Sequence, residues 1–253
     1  MSTIVGRPRR SRERKALALP QGADVFRRRL LVWYGRHRRT LPWRGTRDPY
    51  AVLVSEVMLQ QTQVSRVMGH YPRFLRRYPT VEDLAAAPLD AVRESWAGLG
   101  YYARASNLHA AACHVVANFD GVFPADAAVI ARLPGIGRYT AGAVASIAFG
   151  ADAAAVDTNV ARVLGRVFRV RGRRGSSART TALWRLAQCL VPPRRAGDWN
   201  QALMDLGATI CVARRPRCPA CPVASVCRSR AGVIAQRRRT QRVRSSRRKP
   251  SRA

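Results

Sequence analysis

The fold assignment depends chiefly on one segment, Leu133-Pro134-Gly135-Ile136-Gly137-Arg138-Tyr139-Thr140-Ala141-Gly142. A Pro-Gly turn and a second glycine two residues later lead into a helical pattern that extends to Phe149. A glycine-rich hairpin of this kind presents unpaired backbone N–H groups at the start of a helix, and Gly135 and Gly137 would let a phosphate approach the backbone closely. Taken alone, the segment is equally typical of an ordinary helix–turn–helix connection.

Helical periodicity dominates the chain on both sides of this hairpin. Apolar residues recur at helical spacing within 26–34, 64–75, 108–116 and 160–167, whereas no clear run alternates as a strand would. Thr80 and Asp83 form a variant capping box that predicts a short helix from Val81. Proline and glycine separate these segments. The sequence therefore predicts an all-α fold built from many short helices.

The charge balance indicates a polyanionic partner. The 253 residues include 46 Lys+Arg and 14 Asp+Glu, a net charge of +32. The ends, 1–24 and 228–253, are predicted to be disordered basic arms, but the part between them is also basic. The hydrophobic content of 47% is too high for wholesale disorder. No segment has the roughly 20 continuous apolar residues of a membrane span. Residues 1–24 also lack the apolar block of a secretory signal. Nucleic acid is the simplest partner for such a surface.

Four cysteines near the C-terminal end form the strongest local signal for a bound metal. Cys211, Cys218, Cys221 and Cys227 have the spacing C-x6-C-x2-C-x5-C. Four thiolates this close suit an iron–sulfur cluster or a tetrahedral metal. The single CxxC pair favours a [4Fe–4S] cluster over zinc, and the lack of a secretion signal makes a disulfide framework the weakest alternative. Two further cysteines, Cys113 and Cys189, lie in helical patterns and are interpreted as buried structural thiols.

Two carboxylates stand out as candidates for acid–base chemistry. Glu56 lies within the apolar stretch 51–59, where a carboxyl is either at a helix surface or in a low-dielectric cleft with a raised pKa. Asp157 precedes a predicted helix, so it is interpreted as an N-cap that could also serve in catalysis. A pair of carboxylates from distant segments is what cleavage of a glycosidic bond requires.

Together these pieces resemble the helix-hairpin-helix DNA glycosylase superfamily, and within it the MutY-type adenine DNA glycosylases. The resemblance covers about residues 25–227. Its most specific part is Glu56-Val57-Met58-Leu59-Gln60-Gln61-Thr62, which is typical of adenine glycosylases. The other matching segments are Leu41–Arg44, Gly98–Arg104, Leu133–Gly142, Val156–Val160, Asn200–Gly207 and the four-cysteine loop.

The resemblance implies a role for each matching residue. Glu56 matches the general acid that protonates the adenine ring, and Asp157 matches the carboxylate that stabilises the sugar cation. Asn159 and Tyr139 match residues that orient these carboxylates. The remaining matches concern DNA and the extruded base. Gln61 and Tyr101 match side chains that enter the base stack, and Gln60 is the DNA-contacting amide next to Gln61. Arg39, Trp43 and Gln201 match positions that line the adenine pocket.

Position 139 distinguishes two subfamilies. Bifunctional relatives such as endonuclease III carry a lysine nucleophile there, whereas this chain has Tyr139, and its only lysines are Lys15 and Lys249. A monofunctional glycosylase that leaves an abasic site is therefore predicted. The chain departs from the family pattern at Thr158, where glycine is common. In addition, only 26 residues follow Cys227, where full-length members carry a domain that reads 8-oxoguanine.

The resemblance also implies an architecture and a cellular setting. One lobe would comprise residues 45–150 with the hairpin 133–137. The other would combine 25–44 with 151–227, including the iron–sulfur loop 211–227. The expected partner is double-stranded DNA containing mispairs, bound by a monomer, with an abasic-site endonuclease acting downstream. The arginine-rich composition favours a cytoplasmic, nucleoid-associated protein of a bacterium with a GC-rich genome. Two alternatives remain open: removal of thymine from T·G pairs, and a catalytically silent iron–sulfur protein that binds mispairs.

Overall fold

The computed structural model describes residues 19–235, and no strand occurs within this range, so the predicted all-α class is confirmed. Residues 1–18 and 236–253 lie outside the described residues. Two short 3-10 helices, Cys218–Ala220 and Ala224–Val226, lie in the cysteine-rich segment, and residues 230–235 are again helical. The α-helices are α1 (Ala23–His37), α2 (Pro49–Leu59), α3 (Val64–Arg77), α4 (Val81–Ala86), α5 (Leu89–Ser95), α6 (Ala103–Phe119), α7 (Ala127–Ile130), α8 (Arg138–Ala148), α9 (Thr158–Val167), α10 (Ser177–Leu190) and α11 (Ala196–Thr209).

The buried apolar residues form two hydrophobic clusters. One draws on α2 to α8 and contains the fully buried Trp96 and Phe74. The other draws on α1 and on α9 to α11, and Phe26 packs edge-to-face against both Trp199 and Phe168 at its centre. Helix α8 contributes to both clusters. It therefore connects two apolar cores, and residues at its first turn lie where the two meet.

Helix α2 is buried along nearly its whole length. Asp48 caps its start by accepting a hydrogen bond from the Tyr50 N–H, and Pro49 occupies the first helical position. All residues from Tyr50 to Met58 are buried. A helix that is apolar on every side belongs in the interior. The polar residues it buries are Ser55, whose hydroxyl bonds the Val52 carbonyl, and Glu56.

Several local predictions agree with the structure. Helices cover all four segments with helical spacing, and Thr80 and Asp83 make both hydrogen bonds of a capping box at the start of α4. Helix α1 begins at Ala23, and residues 230–235 are helical, so both extend slightly into the ranges expected for the basic arms. Near the second helical stretch, the Arg228 N–H bonds the Val167 carbonyl, and Val233 lies against the recess lined by the cysteines.

Cys113 and Cys189 were expected to be buried structural thiols, and both are partly buried. Within residues 19–235, no helix is long and apolar enough to cross a lipid bilayer.

Candidate active site

A cavity of about 720 Å³ opens between the two clusters and brings together nine of the residues singled out in the sequence. Its walls come from α2, the turn after α2, α8, the start of α9 and α11. The shared feature of the nine is that all were expected to contact DNA or the extruded base, or to take part in the chemistry. They are Arg39, Trp43, Glu56, Gln60, Gln61, Tyr139, Asp157, Asn159 and Gln201.

Glu56 is held in a low-dielectric wall of the cavity. Its side chain belongs to buried α2, and the Tyr139 hydroxyl donates a hydrogen bond of 2.6 Å to its Oε2. Burial raises the pKa of Glu56, and the nearby Asp157 carboxylate acts in the same direction, while Tyr139 and Arg44 oppose the rise. Burial and the adjacent carboxylates also raise the pKa of Tyr139 well above its usual value, so its hydroxyl remains a donor. This environment favours the protonated form of the carboxyl.

Asp157 is held in the opposite way, by N–H donors. It is the N-cap of α9, and its Oδ1 accepts a 2.6 Å hydrogen bond from the Val160 N–H. Its Oδ2 accepts one of 2.9 Å from the Asn159 side chain. Both oxygens of the carboxylate are thus fixed by N–H donors at the start of α9. The two carboxyl groups of the cavity therefore differ in what holds them: Glu56 is buried and accepts one hydroxyl, whereas Asp157 accepts two N–H groups.

The orientation of Asn159 is fixed by an arginine that sequence reasoning did not single out. The Arg162 Nη2 donates to the Asn159 Oδ1 at 2.5 Å and to the Gly207 carbonyl at 2.8 Å, while its Nε donates to the Cys211 carbonyl at 2.8 Å. With its amide oxygen engaged in this way, Asn159 must point its amide N–H toward Asp157. A continuous set of hydrogen bonds thus joins the carboxylate to the backbone at Cys211.

A charged group beneath the cavity orients Gln201. Arg39 and Arg44 form salt bridges of 2.7 and 2.9 Å with the completely buried Asp205. Arg44 also donates a hydrogen bond to the Gln201 Oε1. Because the amide oxygen is engaged, the Gln201 amide nitrogen is free to donate into the cavity. Arg44 and Asp205 belong to segments quoted above, but helical spacing gave no sign that a carboxylate inside α11 would bind two arginines.

Trp43 and Gln60 combine a structural role with a place at the cavity. Trp43 is buried, packs edge-to-face on Tyr71 and also lines the cavity. The Gln60 amide bonds the Thr140 hydroxyl at 3.3 Å, so it ties the end of α2 to the first turn of α8. Both residues are therefore at least partly structural.

Tyr101 and the hairpin glycines lie outside the cavity lining. Tyr101 is 61% exposed, and both it and the exposed Gln61 have positive φ angles, 50° and 55°. Gly135 also has a positive φ of 68°, and an added Cβ would lie 2.4 Å from the Asn107 Cβ, so this position requires glycine. Gly137 has extended backbone and caps α8 without a side-chain hydrogen bond. The first N–H groups of α8 are thus left uncapped by a side chain, as an anion-binding helix start requires.

The four C-terminal cysteines line one small apolar recess beside α9 and α11. All four are free thiols, and Arg166 donates to the Cys211 sulfur at 3.4 Å. Burial raises the pKa of Cys221 to about 11, and it raises the pKa values of Cys218 and Cys227 as well. Among residues 19–235, no three His, Cys, Asp or Glu side chains are close enough together to form a metal site. The donor set itself, four soft sulfur ligands facing one recess, fits a thiolate-ligated group.

The sequence and structure were then compared with known proteins. Residues 54–189 match the family described as HhH-GPD superfamily base excision DNA repair protein. The chain is 35% identical to a thermostable thymine-DNA glycosylase, with a TM-score of 0.76 over 83% of this chain and 97% of that one. It is 26% identical to endonuclease III in a non-covalent DNA complex, with a TM-score of 0.69 over 84% and 98% of the two chains. The chain therefore belongs to the HhH-GPD superfamily and has an endonuclease III-like fold.

Within this superfamily, the chain is similar to adenine DNA glycosylases. It is 50% identical over 218 residues to the adenine DNA glycosylase of Homo sapiens. The matched region covers 83% of this chain but only 40% of the human protein. It is 45% identical over 214 residues to that of Mycolicibacterium smegmatis, covering 82% of this chain and 72% of that protein. The likeness to the mycobacterial protein places the chain among the adenine DNA glycosylases by descent.

Proposed function

We propose that this chain is a DNA glycosylase that removes adenine mispaired with guanine or 8-oxoguanine by hydrolysing the N-glycosidic bond. The observation that carries the proposal is the pair of carboxyl groups in one cavity, Glu56 and Asp157, the first buried and bonded by a hydroxyl, the second held by two N–H donors. Two such carboxyls are the requirement for glycosidic cleavage with an acid and a cation-stabilising base. The similarity to adenine DNA glycosylases supports adenine as the leaving base.

In this proposal Glu56 supplies the proton. Burial raises the pKa of the carboxyl and so favours its protonated form, and the Tyr139 hydroxyl fixes one of its oxygens, so the other faces the base. Protonation of a ring nitrogen lets adenine leave as a neutral molecule. Two N–H donors hold the Asp157 carboxylate in place, and its charge stabilises the sugar cation that forms at C1′. Water then attacks this carbon, and the proton that it loses restores the Glu56 carboxyl.

The cavity also offers a means of recognising adenine. The Gln201 amide nitrogen can donate to a ring nitrogen of the base, because Arg44 holds the amide oxygen. Arg39 and the face of Trp43 complete the wall on which a purine would lie. Residues of this kind read an extruded base by its hydrogen-bonding edge and its flat face.

The proposed enzyme is monofunctional. Tyr139, a donor to Glu56, occupies the position of the lysine nucleophile in bifunctional relatives, and residues 19–235 contain no lysine. Within this described range, no lysine amine is therefore available beside Asp157 to form a Schiff base. The product would be an abasic site on an intact strand, and its chemistry calls for a downstream abasic-site endonuclease.

We further propose that Cys211, Cys218, Cys221 and Cys227 hold a [4Fe–4S] cluster. The support is their common recess, their free thiols and a four-sulfur donor set. When bound, the cluster would supply a four-point crosslink between the end of α11 and the 218–227 segment. The exposed Arg214, Arg215 and Arg217 lie in the loop between Cys211 and Cys218, so the crosslink would hold these guanidinium groups against DNA.

Double-stranded DNA would also be bound by the start of α8 and by the basic ends of the chain. The uncapped N–H groups that follow Gly137 suit a backbone phosphate, and the net charge of +32 gives a sequence-independent, salt-sensitive attraction. The expected state is a monomer on DNA in a bacterial cytoplasm, associated with the nucleoid.

A second candidate function is removal of thymine from T·G pairs. The observation that favours it is the similarity to the thermostable thymine-DNA glycosylase over 97% of that chain. A thymine enzyme would release thymine and leave adenine in place. A catalytically silent protein would bind mispairs and release neither base.

The proposed roles can be tested with two carboxyl variants and a matched control. Glu56→Gln and Asp157→Asn should each abolish single-turnover adenine release while keeping affinity for an A·8-oxoguanine duplex. Glu94→Gln makes the same chemical change at an exposed site, where the carboxylate meets only Arg77 at 3.8 Å, and should release adenine normally. Normal release by Glu56→Gln would contradict the assignment of the acid.

A further inference from the structure

Arg104 is an unusually placed cation. It is only 8% exposed and lies in the first turn of α6, where the positive end of the helix dipole disfavours a positive charge. Burial lowers its pKa. Among residues 19–235 it has no carboxylate within salt-bridge distance. A buried cation without an anion is costly, so its surroundings must compensate with neutral acceptors.

Six oxygen atoms surround the Arg104 guanidinium. Nη1 donates to the carbonyls of Val57, Met58 and Gln60 at 2.9, 2.8 and 2.6 Å. Nη2 donates to the Thr62 hydroxyl at 2.9 Å and to the carbonyls of Leu99 and Gly100 at 3.2 and 3.0 Å. The group also lies 5.5 and 5.6 Å from the ring centres of Trp96 and Tyr101.

These acceptors belong to two separate segments of the chain. One is the end of α2 and the turn that follows, from Val57 to Thr62. The other is the loop 99–101, which precedes α6. Each segment contains an exposed non-glycine residue with positive φ, Gln61 at 55° and Tyr101 at 50°. Such conformations are rare for these residue types and persist only where neighbouring structure holds them.

We propose that Arg104 is a positioning residue that sets the separation and orientation of Gln61 and Tyr101. The carbonyl of Gln60 and that of Gly100 each directly precede one of the two residues, and both accept from this one guanidinium. The inference rests on the proposed function and on the role that the family resemblance implies for Gln61 and Tyr101, which is to enter the base stack. Arg104 does not line the cavity, so it acts through these two residues rather than on the base.

Only an arginine can make this set of contacts. A guanidinium has five N–H donors in a rigid plane, whereas a lysine ammonium has three donors at one point. Arg104→Lys keeps the charge but cannot reach both segments at once. Arg104→Met keeps much of the length and removes both charge and donors. The two variants should share one defect in base extrusion if positioning is the role.

The test compares adenine that must be extruded from a pair with adenine that is already unpaired. Single-turnover release is measured opposite 8-oxoguanine and opposite a tetrahydrofuran abasic analogue. Displacing groups that position a reacting base by about 1 Å costs roughly 100-fold, so Arg104→Lys should lose about that factor on the paired substrate. It should lose much less on the unpaired one. Arg93→Lys, an exposed arginine on the neighbouring α5, should be unchanged on both.

A double-mutant comparison separates positioning from a purely structural effect. Replacing Gln61 and Tyr101 by alanine removes the residues that Arg104 is proposed to hold, so adding Arg104→Lys to that variant should cost little further. Equal loss on both substrates, or full additivity with the alanine variant, would overturn the inference. So would unchanged release by Arg104→Lys. If the wild-type chain releases no adenine from either duplex, the proposed function fails instead. The two failures are therefore distinguishable.

Discussion

Removing one hydroxyl, in Tyr139→Phe, should shift the pH dependence of base release toward higher pH. The Tyr139 hydroxyl donates to the Glu56 Oε2 at 2.6 Å and thereby stabilises the ionised carboxylate. This hydrogen bond lowers the pKa of Glu56 and so opposes the rise that burial causes. Phenylalanine keeps the ring but cannot donate. The pKa of Glu56 should therefore rise further, and the carboxyl should stay protonated to a higher pH.

The size of the shift follows from the hydrogen bond that is lost. A hydrogen bond to a charged group contributes about 1.5–3 kcal/mol. Since one pKa unit corresponds to about 1.36 kcal/mol, the alkaline limb of the rate profile should move up by roughly one to two pH units. The rate at low pH should change less, because Glu56 is protonated there in both proteins.

The assay is single-turnover adenine release from an A·8-oxoguanine duplex between about pH 4.5 and 9.5, a range that covers the ordinary and raised values of a carboxyl. Tyr50→Phe is the matched control, because the Tyr50 hydroxyl bonds the Tyr78 carbonyl at 2.8 Å rather than Glu56. An alkaline limb that stays in place or moves down in Tyr139→Phe would refute the reasoning that Glu56 acts as the protonated acid.

Three further predictions concern stability, packing and metal content. Burial raises the pKa of Glu56 in the folded state above its unfolded value, so the free energy of unfolding of the wild type should fall as pH rises from roughly 4.3 through the raised pKa. Urea unfolding at pH 4.5 and 8 should show this fall in the wild type but not in Glu56→Gln. An equal fall in both proteins would contradict a raised pKa at Glu56. Gly207→Ala places a Cβ 2.6 Å from the Asn159 Cβ, so it should cost about 1–3 kcal/mol of stability and slow base release. Gly69→Ala, at a position with open space around it, should do neither. A Gly207→Ala protein as active as the wild type would show that Asn159 tolerates displacement. Elemental analysis of anaerobically purified protein should find about four irons per chain, and Cys221→Ser should contain markedly less iron. Zinc in place of iron would contradict the proposed cluster.

The sequence predicted the fold well where local signals and periodicity agree. Apolar spacing located α1, α3, α6 and α9, and the Thr80–Asp83 capping box began α4 as expected. The helical residues 230–235 carry no comparable local signal, and the nearby bond from the Arg228 N–H to the Val167 carbonyl joins segments far apart in the sequence.

The candidate site was predictable in its residue types but not in its supporting contacts. Glu56 stood out because a carboxylate in an apolar helix demands an explanation, and Asp157 stood out as a cap. The arginines that orient the site gave no such signal, because 46 Lys+Arg make any single arginine inconspicuous. Arg162 and Arg104 became recognisable only when the folded chain showed which carbonyls and side chains each one joins.

The most direct test of the proposed function is base release from four matched duplexes under single-turnover conditions, with and without alkali. The duplexes hold A opposite 8-oxoguanine, A opposite G, T opposite G, and A opposite T. The account predicts release of adenine opposite 8-oxoguanine and G, little opposite T, and strand cleavage only after alkali. Release of thymine alone, release of no base at all, or strand cleavage without alkali would contradict a monofunctional adenine glycosylase.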